Sequence, residues 1–187
     1  MLERTQTPAK RGELTENPGG QAVVMLEERQ LAVSQWLLTA ADDREVARSQ
    51  WVDQGIALLC CGGVLSAMRI PARLVWAAAR TDDLNEVDDF LRRFFTGGAV
   101  FMDLHAQLYY ALVGGATRWP WRERDFPEVG RLGRDTFLGV PATHLTEPRG
   151  RSYWCVPMES PGDLTYMDEV GDLCHRGRAG LAEVGAR

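Results

Sequence analysis

The sequence predicts an α+β protein with a mainly antiparallel sheet of about five strands and helices packed on it. The first observation is a pair of apolar runs, 99–104 and 108–113, each as long as a strand and too short for a helix. A Gly-Gly pair brackets each run, so the segment 99–113 predicts a central hairpin with polar atoms at its tip. The second observation is that helical patterns dominate the first half of the chain, and that two of them precede the first strand.

The helices follow from apolar spacing and capping residues. Leu84, Val87, Leu91 and Phe94 recur at intervals of three and four, which is the clearest amphipathic pattern in the chain. The predicted helices span 22–40, 42–54 with Asp42 as N-cap and Gly55 as terminator, 72–80 with Pro71 at its start, 84–96 capped by Thr81 or Asp82, and 167–178. Trp51 and Val52 are expected to face inward.

Short apolar segments bounded by turn residues supply the remaining strands. They are 56–61, 136–140 and 152–156, in addition to the two hairpin strands. The segment GGVLSAMRIP at 62–71 is predicted to be a loop, and 119–133 an ordered surface loop.

Chain length and composition favour one domain at 22–187, preceded by a flexible leader at 1–21. The net charge of −5 disfavours broad electrostatic binding to nucleic acid or to an anionic membrane. Residues 1–21 are too polar for a secretory signal, and no apolar run approaches the ~20 residues that span a bilayer. The four cysteines form no CxxC motif, so we expect reduced, buried thiols in a cytoplasmic protein.

Asp103 and His105 are the first candidates for chemistry. If both lie on one strand, residues i and i+2 share a face, and the carboxylate and the imidazole converge beside the hairpin tip. Such a pair could bind a metal or act as a general base. The alternative is that both residues simply end a strand at a polar turn.

Arg69 and Arg73 flank the start of the predicted 72–80 helix, downstream of the Gly62-Gly63 pair. A strand, a glycine turn and a helix start can together offer backbone N–H groups to an anion. The segment matches neither GxGxxG nor a Walker A loop, so a tight turn with two arginines paired to acids is the alternative.

A loop with interleaved tryptophans and arginines is the third candidate, formed by Arg118, Trp119, Trp121 and Arg122. Such a loop could stack a base or another planar ligand. A surface loop anchored to the core by two tryptophans is the alternative. The cysteines and histidines show no close ligand pair, so no metal site is predicted from them.

Several blocks of the chain resemble a known group of proteins. They are W…GIALLCCGG…RIPARLVWAA, GGAVFMDLHAQLYYALV, VGRLGRDTFLGVP and GRSYWCVPMESPGDL, within 36–177. They resemble small uncharacterised proteins of high-GC Gram-positive bacteria, which in turn distantly resemble the N-terminal domain of bifunctional DNA primase/polymerases. That resemblance implies an α/β core around an RRM-like sheet, with two acids at i and i+2 holding a divalent metal. Asp103 matches the first acid and His105 replaces the second, which implies a degenerate relative that binds without catalysis.

The sequence therefore predicts a non-catalytic binding or regulatory module without a cofactor, which holds a nucleotide, a nucleic-acid end or a protein partner. Its groove is expected to be lined by Arg69, Arg73, Asp103, His105 and Tyr109. One alternative is a small nucleotidyl transferase or hydrolase that uses Asp103 and His105 with Mg²⁺ or Mn²⁺. Another is a homo-oligomer or a subunit of a larger complex, with the tryptophan loop as its interaction surface.

Overall fold

The computed structural model describes residues 18–115 and 125–185. The helices are α1 (Pro18–Leu37, followed by a 3₁₀ turn at Leu38–Ala40), α2 (Arg44–Gln54), α3 (Ala72–Ala79), α4 (Leu84–Phe94) and α5 (Met167–Gly185). The strands are β1 (Ile56–Cys60), β2 (Leu65–Pro71), β3 (Val100–Asp103), β4 (Leu108–Gly114), β5 (Gly130–Leu132), β6 (Phe137–Pro141) and β7 (Ser152–Val156). This order confirms the α+β class and the two helices before the first strand.

A five-stranded antiparallel sheet organises the fold, in the order β5-β2-β4-β3-β7. Its centre is the hairpin of β3 and β4, in which Phe101 lies opposite Tyr110 and Asp103 lies opposite Leu108. This antiparallel pairing confirms the predicted central hairpin. Both of its strands are apolar, which suits a position covered on the two faces of the sheet.

The strands β1 and β6 form a separate two-stranded sheet, here called the ribbon. It continues β2 and β5 past a corner, where the Cys61 N–H donates to the Thr136 carbonyl oxygen at 2.9 Å. Gly62 makes the corner with φ +93°, and a Cβ there would lie 2.4 Å from the backbone of Arg134. The prediction of a loop at 62–71 is therefore wrong: after the corner the segment becomes β2, a strand with apolar side chains on both faces.

Two cores cover the two faces of the large sheet. The helical core packs α3, α4 and α5 on one face, through residues such as Met68, Leu91, Tyr109, Tyr153 and Val170. The ribbon core packs the ribbon, α1 and α2 on the other face, through residues such as Leu37, Leu59, Phe101, Leu138 and Trp154. The result is a layered structure with the five-stranded sheet in the middle.

The helix starts correct two predicted caps. Asp43, not Asp42, caps α2 by accepting the Glu45 and Val46 N–H groups at 2.9 and 3.1 Å. Asp83, rather than Thr81 or Asp82, caps α4 in the same way. In both cases adjacent residues offer similar side chains, and the acid whose backbone is extended just before the helix takes the role.

The ends of three helices differ in part from the prediction. Trp51 is buried as predicted, whereas Val52 is 81% exposed, so its predicted inward position is wrong. The helix α1 begins at Pro18, within the stretch assigned to the leader, and α5 continues past residue 178 to Gly185. Among the described residues, no helix combines the length and apolarity needed to cross a membrane.

Candidate ligand-binding cleft

A cleft of about 320 Å³ opens between the ribbon and the end of the large sheet that carries the central hairpin tip. Its polar lining comes from three separate parts of the chain: Gln50 and Gln54 of α2, Asp103 and Tyr110 of the hairpin, and Arg151 and Ser152 at the start of β7. Its apolar lining comes from the ribbon, through Ile56, Leu58 and Leu138. A concave site with a few convergent polar groups over an apolar wall is the usual form of a small-molecule site.

Asp103 is held at the edge of this cleft by the hairpin turn that it closes. Its Oδ1 accepts hydrogen bonds from the backbone N–H groups of His105 and Ala106 at 3.0 and 2.9 Å. The turn is completed by Gln107, which adopts φ +53° and whose carbonyl oxygen accepts the Ala72 N–H at 2.9 Å. One carboxylate oxygen thus builds the turn, and Oδ2 has no hydrogen-bond partner among the described residues.

Tyr110 forms the floor of the cleft beside Asp103. Its ring stacks on Phe101 with centroids 5.0 Å apart and planes 19° apart. Burial raises the pKa of the Tyr110 phenol, the charge of Asp103 raises it further, and the charge of Arg69 lowers it. The hydroxyl is therefore a neutral donor and acceptor at physiological pH, and the described residues provide it with no hydrogen-bond partner.

Arg151 supplies the cation of the cleft. Its backbone carbonyl oxygen accepts the Leu104 N–H at 2.9 Å, which fixes the chain beside the hairpin tip. Its guanidinium forms no ion pair or hydrogen bond within the described part of the chain. On the opposite wall the Oε1 of Gln50 accepts the Leu58 N–H at 2.9 Å, which leaves the amide N–H groups of that side chain available.

The structure separates the residues that the sequence grouped together. His105 lies in the exposed turn and not on β3, so the argument that it shares a strand face with Asp103 is wrong. Tyr109 is fully buried in the helical core, where its hydroxyl oxygen accepts a hydrogen bond from the Trp76 Nε1 at 3.3 Å. Arg73 is exposed on α3, on the helical side of the sheet. Of the five predicted groove residues, only Asp103 lines the cleft.

Arg69 faces the ribbon side of the sheet, directly opposite Tyr110 in the register of β2 and β4. Its guanidinium lies over β5, since a Cβ on Gly130 would be 3.1 Å from its Nη2. Arg69 therefore flanks the cleft from the far side of Tyr110 without lining it. The predicted anion cradle is also not formed, because the whole of β2 separates Gly62-Gly63 from the start of α3.

The tryptophan loop and the cysteines were the remaining groups considered in the sequence. Arg118, Trp119, Trp121 and Arg122 lie outside the described residues. Within the described ranges, no group of three or more His, Cys, Asp or Glu side chains is placed to hold a metal ion. Cys60 donates instead to the Oδ1 of Asp42, at 2.9 Å, and Cys61, Cys155 and Cys174 are buried thiols.

The cleft residues missed by the sequence reasoning are Gln50, Gln54, Tyr110 and Arg151. Tyr110 stands in the stretch singled out as the hairpin, but the pattern did not distinguish it from Tyr109. The signal that could have found it is the two-residue period of a strand, which places Tyr110 on the same face as Asp103's neighbour Phe101. Gln50 and Arg151 carry no local signal, because only the fold brings them together.

The arrangement thus defines an α+β protein with a mixed-charge cleft between its two sheets. The chain matches no protein-family model, no curated protein and no solved structure.

Proposed function

We propose that the protein is a non-catalytic binding module whose ligand site is the cleft between the ribbon and the large sheet. The observation that carries this proposal is the set of side-chain groups in the cleft that lack internal partners. Arg151, the Tyr110 hydroxyl and the Oδ2 of Asp103 are all without a hydrogen-bond partner in the described residues. Polar groups arranged in this way can exchange water for a ligand at little cost in lost internal hydrogen bonds.

A nucleotide or the end of a nucleic acid is the ligand class that the resemblance implies. The cleft volume of about 320 Å³ is at the lower end of the ~300–1,000 Å³ typical of small-molecule sites. That size suits one small molecule or one flipped nucleotide unit, and the amides of Gln50 and Gln54 could pair with a base edge.

Binding is favoured over metal-dependent catalysis by the composition of the cleft. Nucleotidyl transfer with two metal ions needs several carboxylates in one place. Among the described residues that line the cleft, Asp103 is the single acid, and its Oδ1 is already engaged by the hairpin turn. His105 belongs to the exposed turn and is not among the lining residues, so it does not add a second metal ligand to the cleft.

A pair of tyrosine variants tests the binding function. Isothermal titration and ¹⁵N chemical-shift mapping would be run with nucleosides, nucleotides, amino acids and short oligonucleotides. Tyr110→Phe removes a hydroxyl from the cleft. It should lower the affinity for any ligand that shifts the resonances of Leu58 and Ser152. Tyr109→Phe makes the same chemical change on the opposite face and should leave that affinity unchanged. If no ligand in the panel shifts the cleft resonances, or if both variants weaken binding equally, the proposal is wrong.

A protein-interaction role is the second candidate, and exposed apolar side chains on the first two helices favour it. Met25, Leu31 and Val52 are 59%, 60% and 81% exposed. Leu31 and Val52 line a groove of about 270 Å³ between α1 and α2. Multi-angle light scattering of the wild-type protein and of Leu31→Asp tests self-association. A monomer at high concentration in both cases would count against a homo-oligomer.

A further inference from the structure

The cleft is lined by one acidic and one basic residue that form no ion pair with each other. Asp103 lies opposite Ser152 in the register of β3 and β7, and Arg151 is the residue before Ser152. Both Asp103 and Arg151 line the cleft, yet the described structure contains no ion pair between them. An unpaired carboxylate and an unpaired guanidinium in one cleft can each accept a ligand group of opposite charge in a charge-assisted hydrogen bond.

The charge balance of the cleft also favours a ligand that carries both a positive and a negative charge. The Oδ2 of Asp103 is used by no described group, and the guanidinium of the lining residue Arg151, which has no ion pair in the described structure, is of a planar shape suited to a bidentate carboxylate contact. The Tyr110 hydroxyl, on the neighbouring strand β4, is neutral, because burial and the charge of Asp103 raise the pKa of the phenol. Among the described lining residues, the charges of Asp103 and Arg151 cancel, so the lining is complementary to a zwitterion.

The ribbon gives the opposite wall an apolar surface, beside the side chains of Gln50 and Gln54. Ile56, Leu58 and Leu138 of the ribbon line it, and Leu58 is half-exposed at its rim. An apolar side chain of a ligand can be buried there, next to the polar wall.

We infer that the cleft binds a free α-amino acid with an apolar side chain, with its ammonium group on Asp103 and its carboxylate on Arg151. This inference rests on the proposed function, because it names the ligand class of the same cleft. A polyphosphate suits the cleft less well. Arg151 is the single arginine among its described lining residues, and the guanidinium of Arg69 lies over β5 instead.

The ligand side of the test uses L-leucine and two analogues that each lack one charge. The analogue 3-methylbutylamine lacks the carboxylate, and 4-methylpentanoate lacks the ammonium group. Each loss removes one charge-assisted contact, so each analogue should bind at least about tenfold more weakly than L-leucine. L-Glutamate, whose side chain would place a charge on the apolar wall, should also bind more weakly. Titration calorimetry and chemical shifts of Tyr110, Leu58 and Ser152 report these affinities.

The protein side of the test uses Arg151→Gln and Asp103→Asn. An asparagine at 103 keeps an oxygen that can accept the His105 and Ala106 N–H groups, so the hairpin turn is retained. Each variant should lower the affinity for L-leucine at least about tenfold. Arg151→Gln should not weaken the binding of 3-methylbutylamine, and Asp103→Asn should not weaken that of 4-methylpentanoate, because each variant removes a like charge from the neighbourhood of the analogue. Arg149→Gln is the matched control, because Arg149 is an exposed neighbour that pairs with Glu147 at 3.2 Å.

The outcomes separate this inference from the binding function itself. If L-leucine shows the expected losses with both analogues and both variants, the assignment stands. If 3-methylbutylamine binds as tightly as L-leucine, or if Arg151→Gln leaves L-leucine binding unchanged, the inference is overturned. If adenosine monophosphate shifts the cleft resonances while L-leucine does not, the inference falls and the binding function stands. If no member of the ligand panel shifts them, both fall.

Discussion

The hydroxyl of Tyr153 donates a hydrogen bond of 3.0 Å to the Oδ1 of Asp88 inside the helical core. Tyr153 is fully buried, and Asp88 is only 2% exposed. Burial raises the pKa of the Asp88 carboxyl group, while hydrogen bonds from Tyr153 and Cys155 and the charge of Arg92 oppose that rise. Because the net shift is upward, the folded protein accommodates the neutral acid better than the carboxylate.

Replacing Asp88 by asparagine should therefore change how stability depends on pH. Above the ordinary value of 3.8 the unfolded chain ionises first, so the wild-type protein loses stability as pH rises toward the raised pKa of the folded state. Asp88→Asn carries no charge at this position and escapes that loss. The free energy of unfolding of the variant, relative to that of the wild type, should therefore increase as pH rises. Urea unfolding between about pH 3.5 and about pH 7 measures the difference.

The neighbouring Asp89→Asn is the control for this prediction. Asp89 lies on the exposed side of the same turn and pairs with Arg92 at 3.3 Å. Its carboxylate is solvated, so the variant should differ from the wild type by an amount that changes less with pH. An equal slope for the two variants would show that the burial of Asp88 has no energetic consequence.

A second prediction concerns the close contact between α3 and α5. A Cβ on Gly177 would lie 2.3 Å from the carbonyl oxygen of Leu74, so the two helices approach as closely as only glycine allows. Gly177→Ala should destabilise the protein by about 1–3 kcal/mol, because the helices must move apart. Gly171→Ala, on the same helix in open space, should stabilise it by about 0.5–1 kcal/mol through helix propensity. Urea midpoints that shift in the same direction for both variants would contradict this packing.

The extent to which the sequence predicted the fold follows from how local each signal is. The hairpin at 99–113 was recognisable because its strands are continuous apolar runs between glycine pairs. The segment 62–71 was not recognised as a strand, because β2 is covered on both faces and so lacks the alternation of a half-buried strand. Gly62-Gly63 does end the first strand, as predicted. It forms the corner between β1 of the ribbon and β2 of the large sheet, and not the start of a loop.

The candidate site was harder to predict than the fold for a similar reason. The pattern Asp-x-His suggested a shared strand face, but β3 ends at Asp103 and the turn begins before His105. Arg151 and Gln50 are separated by 101 positions in the chain, and they line one cleft only because the ribbon folds over the sheet. Contacts of that kind depend on tertiary structure and leave no trace in local spacing.

A third prediction separates the structural role of Asp103 from that of His105. Asp103→Ala removes the acceptor of two backbone N–H groups in the turn and should cost about 0.5–2 kcal/mol of stability, as the loss of a helix cap does. His105→Ala changes an exposed side chain and should alter stability by less than about 0.5 kcal/mol. Thermal and urea unfolding of both variants measure the two effects. A larger loss for His105→Ala would mean that the imidazole has a partner at the hairpin tip.

The last prediction concerns Cys60, the one partly exposed cysteine among the described residues. Its Sγ donates to the Oδ1 of Asp42, and this hydrogen bond, together with burial and the negative charge of Asp42, raises the thiol pKa to about 11. The thiolate is the reactive form, so alkylation by iodoacetamide at about pH 8 should be slow in the wild type. Asp42→Asn removes the main cause of the shift and should accelerate modification by about ten- to a hundredfold. Peptide mass spectrometry measures the rate at Cys60, with buried Cys174 as the unreactive internal control. A wild-type rate that stops rising near pH 9 would show that Asp42 does not hold the proton on this thiol.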